Sequence, residues 1–214
     1  MATNTFVEID IPEAAELADL TGIQRDFEST KQFAAKLAEI WSSERPDFTL
    51  IEALTTAPLV RYSRPFLEGV RKWFSKMELE SLTPEQRAAH EHFRLWRSKH
   101  IAHSANVFED NQPIARYWVE RFDVEGFTSV ECNSNIVAGM SASDIRAIIE
   151  LADHFINKLK PLIEAEKQRV LSVVRGLPRQ NVLAMKKPPR VPQAGDVAKH
   201  RKKVTLSNRS KPRT

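Results

Sequence analysis

Ser141-Ala142-Ser143-Asp144-Ile145-Arg146-Ala147-Ile148-Ile149-Glu150-Leu151-Ala152 opens the stretch that decides the fold. From there to Ile163 the apolar residues Ile145, Ile149, Ala152, Ile156, Leu159 and Ile163 recur at spacings of 4, 3, 4, 3 and 4. A strand would alternate with period two; this pattern keeps one face of a 3.6-residue helix apolar. Ser141 or Ser143 supplies the N-terminal cap, Pro161 is expected to kink the helix, and Gly176 and Pro178 stop it. A long helix with one apolar stripe needs other helices to cover that stripe.

Upstream segments supply them. After an irregular lead-in over residues 1–12, Glu13 to Leu20 reads as a short helix ending near Gly22. Ile23, Phe27, Ala34, Leu37 and Trp41 then mark one helical face, broken at Arg45-Pro46. Thr49-Leu50-Ile51-Glu52 has the form of a capping box opening a second helix. That helix carries Leu54, Leu59 and Val60, holds Pro58, expected to kink it or split it in two, and ends in Arg61-Tyr62-Ser63-Arg64-Pro65. Thr83-Pro84-Glu85-Gln86 caps a third helix, expected to reach about Ser104. Between it and the last helix, Tyr117, Val119 and Phe122, then Phe127 and Val130, favour strands, and Asp123-Val124-Glu125-Gly126 offers a turn. The expected fold is all-α: an up-and-down bundle of four to five main helices with a small β-hairpin insertion.

Composition sets the frame. The 214 residues are 42% apolar, enough for one domain with a core and a tail. From Arg179 to Thr214 there are eleven lysines and arginines against one acid, Asp196, while the other 178 residues carry 21 basic and 27 acidic side chains. The division predicts a helical domain over 1–178 and a basic, disordered tail over 179–214, whose sparse apolar content cannot offset the entropy of ordering it. Cys132 stands alone, so no intramolecular disulfide forms, which fits a reducing cytoplasm. Met1 to Glu16 lacks the basic flank of a signal peptide, and no apolar run reaches membrane-spanning length. No cofactor is expected, and no membrane partner.

Four of the six histidines lie near the end of the third helix: His90, His92, His100 and His103. In regular helical geometry, Arg97, His100 and His103 form an inclined row able to face one cleft. Such a row suits RNA cleavage without a metal. The ribose 2′-hydroxyl must lose a proton as it attacks phosphorus, and the 5′-oxygen must gain one as it leaves. Histidine performs either transfer near neutral pH, and the planar, permanently charged arginine fork suits phosphate oxygens. One histidine does not readily serve as acid and base together; a two-fold dimer would bring a second copy. Spacing alone leaves other readings open. His100-x-x-His103 has the form of a metal pair, although no cysteine lies nearby. A basic helix end also sits favourably at the negative pole of its own dipole. Arg61 and Arg64 read either as a solvated helix terminus or as part of a polar site.

Arg97-Ser98-Lys99-His100-Ile101-Ala102-His103-Ser104 resembles the signature of the HEPN superfamily (higher eukaryotes and prokaryotes nucleotide-binding domains), an arginine and a histidine separated by four to six residues. Five separate Arg97 from His103, and Ser98 fills the polar slot that often follows the arginine. Arg94 stands to His100 at the same spacing, but the wording around Arg97 fits better. The Leu59–Phe66 segment is also similar to abortive-infection-like members, and the resemblance spans roughly residues 21–175. It implies a helical bundle dimerising through the motif helices and a metal-independent endoribonuclease, with Arg97 and His103 catalytic and Ser98 beside them. Lys99, His100, Arg61 and Arg64 are added from position as RNA-binding residues. Ala105 occupies the place where some members carry a tyrosine modified by a partner enzyme, so neutralisation by that route is not expected. The expected function is an RNA-cleaving enzyme of a prokaryotic defence or toxin–antitoxin type, a homodimer with RNA and an antitoxin or other regulatory protein as partners. The alternatives are a non-catalytic HEPN-like module binding RNA, nucleotide or protein, and an unrelated helical interaction protein.

Overall fold

The computed structural model describes residues 7–67, 79–101, 111–118, 126–134, 139–184 and 193–197. Helix α1, Ala15–Trp41, follows a 3-10 turn at Pro12–Ala14; α2, Phe48–Ser63, runs into a second 3-10 turn, Arg64–Phe66. Helix α3, Pro84–Trp96, passes into a π-helical turn, Arg97–Ile101. Strands β1, Asn111–Tyr117, and β2, Phe127–Ser134, precede the long helix α4, Ala142–Arg175, and a short α5, Arg179–Leu183. The fold is mostly helical with one two-stranded antiparallel sheet, in line with the all-α expectation.

Side-chain pairs give the helices their directions. Arg169 of α4 bonds the Glu13 carbonyl near the start of α1, and Lys31 farther along α1 pairs with Asp153, so α1 and α4 are antiparallel. Ser81, just before α3, meets His154 and Lys158, while His92 lies 3.7 Å from Asp144, so α3 also opposes α4. The short link between α1 and α2 turns α2 back: Trp41 and Ile51 converge on Gly139, and Phe27 meets Tyr62. The four long helices thus alternate in direction.

Their core centres on Phe27. Its ring stacks on Phe155 of α4 at 5.1 Å and meets Tyr62 and Phe66 edge-on at 5.9 and 6.0 Å. Phe93 brings α3 into the same cluster through Tyr62. Each of these large apolar side chains contributes roughly 1.5–3 kcal/mol by leaving water. On α4 the buried face includes Ile145, Ile148, Ala152, Phe155, Leu159 and Ile163. It is rotated slightly from the sequence stripe: Ile149 is only half-buried, while Ile148 and Phe155 carry the centre.

Several local expectations are corrected. Gly22 does not end a first short helix; α1 runs through it, because Leu20, Ile23 and Phe27 keep one continuous buried face across the glycine. A glycine inside a helix costs only about 1 kcal/mol relative to alanine, which that face outweighs. Asp47, not Thr49, caps α2: its carboxylate accepts from the Leu50 amide at 3.0 Å. Neither Pro58 nor Pro161 splits its helix. Ser141 is the cap of α4, in a reciprocal box with Asp144, and Gly176 ends the helix. The Thr83–Gln86 box stands as expected, with hydrogen bonds of 3.2 and 3.1 Å.

The hairpin forms, but β1 starts earlier than the aromatic residues indicated. It pairs Asn111 with Ser134 through Tyr117 with Phe127, with a bulge between Arg116 and Tyr117. Pro113 is tolerated because both strands of a two-stranded sheet are edges. Val119, Phe122 and the turn at Asp123–Glu125 lie outside the described residues. Within the basic segment from Arg179 onward two short elements are described. Pro178 starts the five-residue α5, and Ala194–Asp196 forms a 3-10 turn capped by a Gln193–Asp196 box. Among the described residues no helix is long and apolar enough to cross a membrane.

Candidate functional site

Helix α3 presents two surfaces as it approaches the motif. His90 and Phe93 face the core. Four residues beyond Phe93, Arg97 continues that inward face and is only half-buried. Glu91, Arg94, Leu95 and Ser98, at spacings of 3, 1 and 3, share the adjacent face. The regular helix expected to reach Ser104 stops at Trp96, and the chain widens into the π-helical turn from Arg97 to Ile101. Hydrogen bonds in such a turn span five residues, so over Arg97–Ile101 the backbone departs from an ideal α-helix, while His103, the end of the expected row, lies outside the described residues; single π turns recur at functional sites.

The C-terminal end of α2 stands opposite. Ser63 and Leu67 form one wall of a cavity of about 270 Å³; Glu91, Arg94, Leu95, Arg97 and Ser98 form the other. Ser63 is 2% exposed, and among the described residues its hydroxyl has no hydrogen-bond partner. Among the described residues neither Arg94 nor Arg97 has a carboxylate within ion-pair distance, although the solvated Glu91 lies on the same wall. Two arginines and Ser98 around a small cavity can receive an oxyanion, since permanently charged planar donors match its oxygens.

Behind this cavity lies a buried polar pair. Tyr62 Oη shares a 2.8 Å hydrogen bond with His90 Nδ1, and the Phe66 ring packs edge-on against the imidazole at 4.6 Å. Burial, and secondarily the positive charge of Arg94, lowers the His90 pKa to about 4. Burial likewise raises the Tyr62 phenol well above its ordinary value. Both groups are therefore neutral near pH 7, and His90 packs rather than shuttling protons. The chain's other arginine pair has a different anchor. Arg61 and Arg64 both reach Asp26 Oδ1 of α1, at 3.0 and 3.3 Å, and this carboxylate is buried. They brace α2 against α1 and do not line the cavity, although about two-fifths of each side chain remains exposed.

Of the residues singled out from sequence, the structure thus brings Arg97 and Ser98 to one cavity. Lys99 is exposed on the same turn. His100 belongs to the π turn by its backbone, while its side chain lies outside the described residues, as does all of His103. Among the described residues no three histidine, cysteine, aspartate or glutamate side chains gather as metal ligands. Phe93 and, in part, Trp96 and Ile101 pack against the bundle, leaving Leu95 as the exposed apolar residue of the motif helix.

No protein-family model, curated protein or solved structure matches this chain.

Sequence reasoning passed over Ser63 and Glu91 as site residues and saw Arg94 only as a competing register. Arg94 had a signal: it precedes Arg97 by three residues, the spacing of neighbours on one helix surface. Ser63 had none, because its place depends on how α2 meets α3.

Proposed function

We propose that the protein is a metal-independent endoribonuclease of HEPN type, acting as a homodimer in a prokaryotic defence or toxin–antitoxin setting under the control of a protein partner. The observation that supports this reading best is Arg97: half-buried in a π-helical turn, without an ion-pair partner among the described residues, and lining a cavity beside Arg94 and Ser98. Arg97 holds the scissile phosphate through a bidentate contact. His103 removes the proton from the ribose 2′-hydroxyl, whose oxygen forms a new bond to phosphorus. The bond from phosphorus to the 5′-oxygen breaks, and the leaving oxygen takes a proton from the second protomer's copy of the motif. Ser98, Lys99 and His100 steady the strand, with Arg61, Arg64 and the basic tail adding charge outside the cavity.

Two arginines in one cavity equally suit a non-catalytic module that only holds RNA. One assay separates them: purified protein with RNA in chelator, wild type beside His103→Ala and Arg97→Lys. The enzyme reading expects cleavage by wild type and a loss of roughly 10²–10⁴-fold for His103→Ala with binding retained. Arg97→Lys should also lose rate, since an ammonium does not reproduce the fork. Tight binding without cleavage by the wild type would favour the module.

A further inference from the structure

We infer that the cavity between the end of α2 and the α3 face holds a backbone phosphate of an RNA strand, with Arg94 as its principal ligand, next to the phosphate gripped by Arg97. The inference rests on the RNA-directed reading above and adds a subsite that the arginine–histidine motif does not contain. Arg94 and Arg97 line the same cavity, and neither has an acidic partner among the described residues. An arginine that no described carboxylate pairs with keeps its donors for another acceptor, and Arg61 and Arg64 show the contrast, both being held by Asp26. Ser63 lines the same wall, and its hydroxyl, closed to solvent, has no partner among the described residues, an independent sign of unmet hydrogen-bonding capacity beside the cavity. Such a group normally finds a partner in a folded protein.

The size and lining choose the ligand. At about 270 Å³ the cavity falls just below the range that encloses a whole small molecule, but it takes a phosphate with part of its sugar. Among the described residues no aromatic side chain lines it, so these residues offer no platform for stacking a base. Leu67 and Leu95 supply apolar edges, and Glu91, the one carboxylate among the described lining residues, is exposed. Such a site reads phosphate and not sequence.

The test uses the full chain and an oligoribonucleotide made uncleavable by 2′-O-methylation, with binding followed by fluorescence anisotropy across salt concentration. Arg94→Ala should bind roughly tenfold more weakly, and its log–log salt slope should fall by about 0.7, the contribution of one phosphate contact on a single strand. Arg94→Lys should keep the slope and lose part of the affinity. Unchanged affinity and slope in a folded Arg94→Ala protein overturn the subsite. If that variant does not fold, the wild type still decides: the oligonucleotide must shift the guanidinium NMR resonance of Arg94, and an unmoved resonance overturns the proposal. Inorganic phosphate serves as the second probe. Tight binding of free phosphate that the oligonucleotide fails to displace would make this a free-phosphate site and overturn the RNA assignment. Because the probe cannot be cut, the outcome is independent of catalysis: wild type that never cleaves RNA, with Arg94→Ala still weakened, sinks the enzyme reading and leaves the subsite standing.

Discussion

At the scale of single residues, His90 has the most to lose from acid. Its imidazole is fully buried, its Nε2 has no hydrogen-bond partner among the described residues, and burial lowers its pKa to about 4. In the unfolded chain a histidine titrates near 6.5. Above that pH both states are neutral and the stability His90 permits is complete. As pH falls from about 6.5 to about 4, the unfolded chain takes a proton that the folded one refuses, so stability falls by up to ~1.4 kcal/mol per pH unit and ~3 kcal/mol in all. His90→Leu removes that proton and also the bond to Tyr62. Denaturant melts should therefore show the variant weaker near pH 7.5, with the gap closing steadily toward pH 4.5. Parallel stability curves for the two proteins would show that His90 does not carry this acid sensitivity. Histidine content alone pointed equally to His90, His92, His100 and His103. Only the packing of Tyr62 and Phe66 around His90 separates a core imidazole from a candidate proton carrier.

At the scale of elements, one short connection bears a tight constraint. Gly139, just before α4, has φ +153°, and a β-carbon there would lie 2.7 Å from Ile51 Cγ2 and 3.0 Å from Thr55 Oγ1. The next residue, Met140, is buried, and its amide donates to Thr55 Oγ1 at 3.3 Å. Gly139→Ala should therefore destabilise the bundle by roughly 2–4 kcal/mol, combining backbone strain with overpacking. A thermal melt within one degree of wild type would contradict this placement of the α2–α4 junction. The long helices themselves were legible because amphipathic spacing and reciprocal caps are local signals: the α4 stripe and the Thr83–Gln86 box are readable without neighbours. What spacing did not disclose depends on tertiary contacts. Helix α1 passes Gly22 because its buried face continues, and Asp47 takes the α2 cap from Thr49. The π turn at Arg97–Ile101 follows where Trp96 and Ile101 reach the bundle. The candidate site was half legible for the same reason: Arg97 and Ser98 stand in one motif, whereas Ser63 joins them only through the approach of α2.

At the scale of the whole molecule, four alternating helices leave the C-terminal end of α3 beside the end of α2, with Arg94, Arg97 and Ser98 around one cavity. One catalytic histidine per chain, His103, makes the proposed chemistry a property of two chains. Sedimentation should accordingly show a dimer at micromolar concentration, and a monomer throughout that range would leave the site without its second proton donor. The account's central claim is attack by the substrate's own 2′-hydroxyl, and the ends of the cleaved RNA record it. Wild-type protein incubated with a defined RNA in chelator should yield 2′,3′-cyclic phosphate and 5′-hydroxyl termini, identified by mass spectrometry, and the Arg97→Ala/His103→Ala double variant should yield neither. Products ending in a 3′-hydroxyl, or RNA left intact by a folded wild-type dimer, would contradict it.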